Sequence, residues 1–152
     1  MPIYFRDRFG MSLAIIAFLM VAHRLSMGLP MMFIGRLTGK RPKLFYLTAL
    51  ICSGVSLTLT PFLSRALIAI PVWIAHDLLG ASIYIPVHHY LVQKHAGEDI
   101  RGLHVSKSFA YGSLGMVPGF LLSGYLYNVN IGAPFFAAGV VAFLASFLVA
   151  RL

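Results

Sequence analysis

Two charged residues stand where charge is costly. Arg24 lies inside the apolar stretch Met11–Ile34, and Asp77 lies inside the apolar stretch Leu67–Val92. A Lys, Arg or Asp at the centre of a membrane helix costs roughly 2.5–3.5 kcal/mol on insertion scales, so such a group faces a bundle interior or a water-filled path and is read as functional. Arg24 precedes Gly35 by about eleven residues, or about 16 Å at 1.5 Å per residue, and Asp77 follows Arg65 by about a dozen. The two therefore sit at similar depth on different helices and are expected to be able to pair. His23 and His76 adjoin them in sequence. Imidazole changes charge near neutral pH. The set Arg24, Asp77, His76 and His23 could thus hold an anionic solute group or hand on a proton. The plainer alternative is a buried ion pair with neutral imidazoles bridging helices.

Other chemistry is poorly supported. His88, His89 and His95 suggest a metal at a glance, but adjacent histidines leave a helix in different directions and no cysteine or acid cluster accompanies them, so no metal site is expected. The single cysteine, Cys52, excludes an internal disulfide. The chain shows no phosphate-cradling glycine loop, and no nucleophile with a base and an orienting acid. An enzyme and a bound cofactor are not expected.

The elements that must position these residues are membrane helices. Of 152 residues, 59% are apolar and only 11% charged, against about 25% charged in soluble domains. Only helices and closed barrels satisfy their backbone inside lipid. Spans of about 20 residues cross a hydrocarbon core about 30 Å thick. Five are expected, at roughly 11–34, 44–62, 67–92, 108–127 and 134–150, the third broken up by Pro71 and Pro86. The fold class is an all-α, polytopic bundle forming one transmembrane domain over residues 1–152.

The connectors orient it. Gly35–Lys43 carries four cations in nine residues, Leu63–Ala66 carries only Arg65, Lys94–Lys107 is cationic again, and Asn128–Ala133 carries none. This alternation places the N-terminus outside and the C-terminus in the cytoplasm. The net charge of +8 resides in those short connectors. It reads as topology and attraction to anionic membrane lipids, with no nucleic-acid partner. Arg6, Asp7 and Arg8 are the exception at the outer start. Within the fourth span, Gly112, Gly115, Gly119 and Gly124 form a small-residue stripe with a GxxxG pair, expected as a tight helix-packing surface or a flexing element.

In order along the chain these segments resemble one half of a major facilitator superfamily transporter, six helices with the first missing. Gly35-Arg36-Leu37-Thr38-Gly39-Lys40-Arg41-Pro42 is similar to the family's glycine- and arginine-rich loop with a gap at its Asp-Arg pair. His76 stands where the family often has an arginine, four residues before Gly80, and Pro86 falls at a common proline. Arg101-Gly102 resembles the loop before the fifth helix. Gly115, Gly119 and Gly124 match that helix's glycines, with Phe120 in place of its proline and Ser123 in place of a glycine. Pro134-Phe135 resembles the opening of the sixth.

The resemblance implies part of a secondary active transporter of the plasma or cell inner membrane, moving a small solute and coupled to protons. Its spans would be the equivalents of helices 8–12, or alternatively 2–6. Met1–Gly10 would be the outer end of the missing helix and the loop after it, and Gly35, Gly39, Lys40 and Arg41 a gate-like cytoplasmic loop. The expected partners are a small-molecule substrate, membrane lipids, and the missing remainder of the transporter or a second half. The alternative is a non-transporting helix bundle, or a truncated fragment, acting through packing against a partner subunit.

Overall fold

The structure, a computed structural model, describes residues 2–151, and for Pro2, Leu37 and Thr38 the backbone alone. It is helical along almost its whole described length. The helices are α1 (Pro2–Phe9), α2 (Leu13–Thr38), α3 (Pro42–Leu59), α4 (Ala66–His76), α5 (Ser82–His95), α6 (Arg101–Val129) and α7 (Ala133–Ala150). A five-residue π-helical turn, Asp77–Ala81, joins α4 to α5, so the two read as one long rod. Among the described residues, four stretches are long and apolar enough to cross a membrane: Leu13–Arg36, Pro42–Phe62, Ala66–His95 and Ala133–Ala150. α6 is not among them, although its 29 residues contain the expected span Ser108–Tyr127, because glycines, serines and tyrosines interrupt its apolar residues.

Several boundaries differ from expectation. The helix α2 continues through Gly35 to Thr38, so the polar connector shrinks to Gly39–Arg41, and Pro42 opens α3 at a position where its missing N–H costs nothing. Likewise α6 begins at Arg101, leaving only Ala96–Ile100 outside the α-helices. Charged ends can remain helical outside lipid, and apolar patterning alone does not mark where a helix stops. Pro71 and Pro86 both lie inside helices, and the irregularity falls between them at Asp77–Ala81. The N-terminal segment, expected as a helix end and the loop after it, is mostly helical. Met1 lies outside the described residues, but α1 follows it, with Tyr4 and Phe5 each 1% exposed. Gly10, at φ +64°, makes the turn out of α1 in a conformation that favours glycine, and the Ser12 hydroxyl accepts the Ile15 N–H to cap α2.

Long helices alternate in direction. The Lys43 ammonium donates to the Ala150 carbonyl at 3.0 Å at one end of the α3–α7 pair, and Gly132 meets Pro61 at the other. Tyr127 at the end of α6 donates to Asp7 of α1 at 2.7 Å. Arg36, Lys40, Arg41, Lys43, Lys94 and Lys107 consequently gather at one end, which we call the basic end, and Arg6, Arg8 and Arg65 lie at the opposite end.

Packing within lipid depends on close approach more than on the hydrophobic effect, and the glycines that permit it are not the expected ones. A Cβ on Gly139 would lie 2.1 Å from Thr58 Oγ1 and 2.8 Å from the Gly54 carbonyl, so α3 and α7 touch nearly backbone to backbone. A Cβ on Gly80 would fall 2.8 Å from Ser53 Cβ, which seats the π turn against α3. At Gly112, Gly115, Gly119 and Gly124 a Cβ would meet nothing within 4 Å. The α6 stripe therefore is not a packing surface among the described residues: no residue of α6 is buried.

Candidate functional site

The π turn creates the site. The Ser82 N–H donates to the carbonyls of Asp77, five residues back, and Gly80, and the Ser82 hydroxyl donates to the Leu78 carbonyl at 2.7 Å. Such wide turns inside α-helices often occur at functional positions. Here it carries Asp77 at 3% exposure, turned toward α2. The Asp77 carboxylate meets two imidazoles. Oδ2 is in direct contact with His23 Nδ1 from α2, and Oδ1 lies 3.4 Å from His76 Nε2.

The hydrogen-bond inventory around His76 constrains its protons. Its Nδ1 contacts the Trp73 carbonyl, which can only accept, so Nδ1 carries the hydrogen. In neutral imidazole Nε2 then holds a lone pair, facing another acceptor on Asp77. A proton at Nε2 turns that opposition into a charge-assisted hydrogen bond.

Aromatic residues close it on one side. Trp73 is 1% exposed, and its ring stacks on His23 with centroids 4.6 Å apart. His23 in turn stacks on His76 at 5.5 Å. Beyond Trp73, toward the end where α1 packs, lie Phe5 at 4.9 Å from the Trp73 ring, Tyr4 and Phe135. These buried rings, with Leu19 and Leu57, form the core. They cover the carboxylate–imidazole cluster on that side.

The expected site residues separate into three groups. Asp77, His76 and His23 come together. Arg24 does not join them: it is exposed on α2, and among the described residues the charge partners of Asp77 are the two histidines. Successive helix positions are about 100° apart, so α2 turns His23 inward and Arg24 away. Gly35 lies within α2, with Gly39, Lys40 and Arg41 following as an exposed turn. The α6 glycines stand apart on an uncovered face.

Two features escaped sequence reasoning. Trp73 precedes His76 and Asp77 by three and four residues, a spacing that puts all three on one helix face. A second polar chain runs from α3 through α5 to α6: His88 Nε2 lies 2.7 Å from the Ser108 hydroxyl, and the Tyr46 hydroxyl lies 3.4 Å from His88 Nδ1. It borders a groove of about 390 Å³ also lined by Tyr84, His89 and Phe109.

Among the described residues, His23, His76 and Asp77 also form the one group of metal-ligating types, their ligand atoms all within 4.8 Å of one another.

A family model for the Major Facilitator Superfamily matches residues 1–152. No curated protein and no solved structure matches the chain. The all-helical build, the apolar membrane-length helices and this match over the full sequence agree, and the chain belongs to the Major Facilitator Superfamily of membrane transporters.

Proposed function

We propose that this chain is part of a secondary active transporter that moves a small solute, and that Asp77, flanked by His23 and His76, carries the coupling proton. One observation supports this above all: a carboxylate 3% exposed at membrane depth, held between two imidazoles, with an acceptor facing an acceptor until a proton arrives. Transporters of this kind rock two helical bundles around a midplane site. The aromatic layer of Tyr4, Phe5, Trp73 and Phe135 covers the cluster from the α1 end, so protons and solute reach it from elsewhere. Arg24, exposed on α2 one position from His23, offers a cation to an anionic group of the solute.

The uncovered faces of α2 and α6 call for the remainder of the transporter, or a second half, to enclose the path. The turn Gly39–Arg41 then acts as the gate-like connector on the cytoplasmic side of the plasma or inner membrane, with the N-terminus outside. A second reading, a non-transporting bundle that binds a partner subunit, draws on the same uncovered α6 glycines.

Reconstitution into vesicles, together with any subunit that copurifies, separates the two. Transport predicts that an imposed pH gradient drives uptake or efflux of a labelled solute from a broad panel, and that Asp77→Asn reduces coupled movement to background. Folded protein that moves nothing favours the partner-binding reading. Coupled transport that survives Asp77→Asn removes the site assignment.

A further inference from the structure

At the basic end, residues of α3, α5 and α7 surround an opening of about 510 Å³ lined by Pro42, Lys43, Tyr46, Leu91, Lys94, His95 and Val149. Pro42, Leu91 and Val149 give it an apolar lining. Lys43 and Lys94 add two cations, and among the described residues no carboxylate lines it. Lys43 is held there by donating to the Ala150 carbonyl at 3.0 Å, which leaves further donors on the same ammonium free to meet a ligand. Lys94 lines the opening from α5, and its flexible side chain carries the ammonium 6.0 Å from the ring centroid of Tyr90, just outside the lining. Among the described residues neither lysine has a carboxylate within ion-pair distance. The opening lies at the ends of the membrane-length stretches Pro42–Phe62, Ala66–His95 and Ala133–Ala150.

Apolar lining, two cations and that position together fit a molecule with an acyl chain and an anionic phosphate. We infer that this opening is a binding site for one anionic phospholipid: Lys43 and Lys94 hold the headgroup phosphate, and an acyl chain lies over Leu91 and Val149. Basic pockets between membrane helices bind anionic headgroups in this way. The site is separate from the Asp77 cluster, which lies near the middle of the same rod. Lipid there would tie the ends of α3, α5 and α7 together.

The test uses the purified full chain in neutral detergent, with native mass spectrometry and thermal melting as readouts. Phosphatidylglycerol is the probe, with phosphatidylcholine and inorganic phosphate as comparisons. Retention and thermal protection by phosphatidylglycerol are expected, with little from phosphatidylcholine and none from phosphate. The double variant Lys43→Gln/Lys94→Gln should weaken phosphatidylglycerol binding by ~10- to 30-fold, as loss of two surface cations implies. Arg101→Gln/Lys107→Gln removes equal charge from the same end outside the opening and should leave binding unchanged. Lys43→Gln also removes a helix-end hydrogen bond; if the double variant does not fold, Lys94→Gln alone should weaken binding and Lys43→Arg/Lys94→Arg should preserve it. Equal loss in both double variants, equal retention of the two lipids, or protection by phosphate alone would overturn the assignment.

Discussion

At Asp77 the sequence places a carboxylate in lipid, and the structure gives it two imidazoles in place of the arginine expected beside it. Trp73 is the only tryptophan in the chain and stacks on His23, so its emission reports on that contact. His23→Gln removes the stacked ring and should change Trp73 emission at constant pH; an unchanged emission spectrum in His23→Gln would separate the tryptophan from the site. The rarity of intramembrane charge made Asp77 legible, and adjacency flagged His23 and His76. The pairing was not legible, because which of two consecutive residues faces inward depends on helix rotation, and α2 is apolar on nearly all sides. Arg24 therefore could not be told from His23 by pattern.

Among the elements, packing is decided by which glycines meet a neighbour. Gly139→Ala must push Thr58 or the Gly54 carbonyl aside and should destabilise the α3–α7 pair by roughly 1–3 kcal/mol, the usual cost of overpacking. Gly115→Ala points into open space and should change the stability of the isolated chain by less than about 0.5 kcal/mol. Thermal melting of both variants in one detergent checks the contrast, and a larger loss at Gly115 would show that α6 packs elsewhere than described. GxxxG is visible in α6, but a motif names a surface without naming its partner. The contact actually used, Gly54 and Thr58 against Gly139, is small residues at the same four-residue spacing and was available to the same search.

The tie between α1 and α6 has its own pH signature. The Arg6 guanidinium and the Tyr127 hydroxyl hold the Asp7 carboxyl below the usual carboxylate range. A depressed folded value means the tie stabilises fully above the unfolded pKa of about 3.9 and is lost as pH falls through the lower folded one. Asp7 is exposed, so the effect is small. Amide exchange in α1 should quicken only in that acid window, and Asp7→Asn should make it equally fast at neutral pH.

For the whole molecule, the membrane character, the alternating helices and the family were legible from composition and the order of weak motifs. Helix ends were not, since α2 and α6 remain helical past their apolar stretches. The proposed topology predicts that single cysteines replacing Lys40 and Asn130, in a chain with Cys52 changed to serine, are labelled from opposite faces of sealed vesicles. Labelling from the same face would overturn the orientation and the charge argument behind it.

The account rests on Asp77 taking up a proton inside the membrane, and infrared difference spectroscopy across a pH step reads that event directly. In the lipid-reconstituted protein a protonated-carboxyl stretch should appear on acidification and be missing from Asp77→Asn, while the exposed Asp7, Glu98 and Asp99 contribute equally to both. Identical difference spectra from wild type and Asp77→Asn would contradict it.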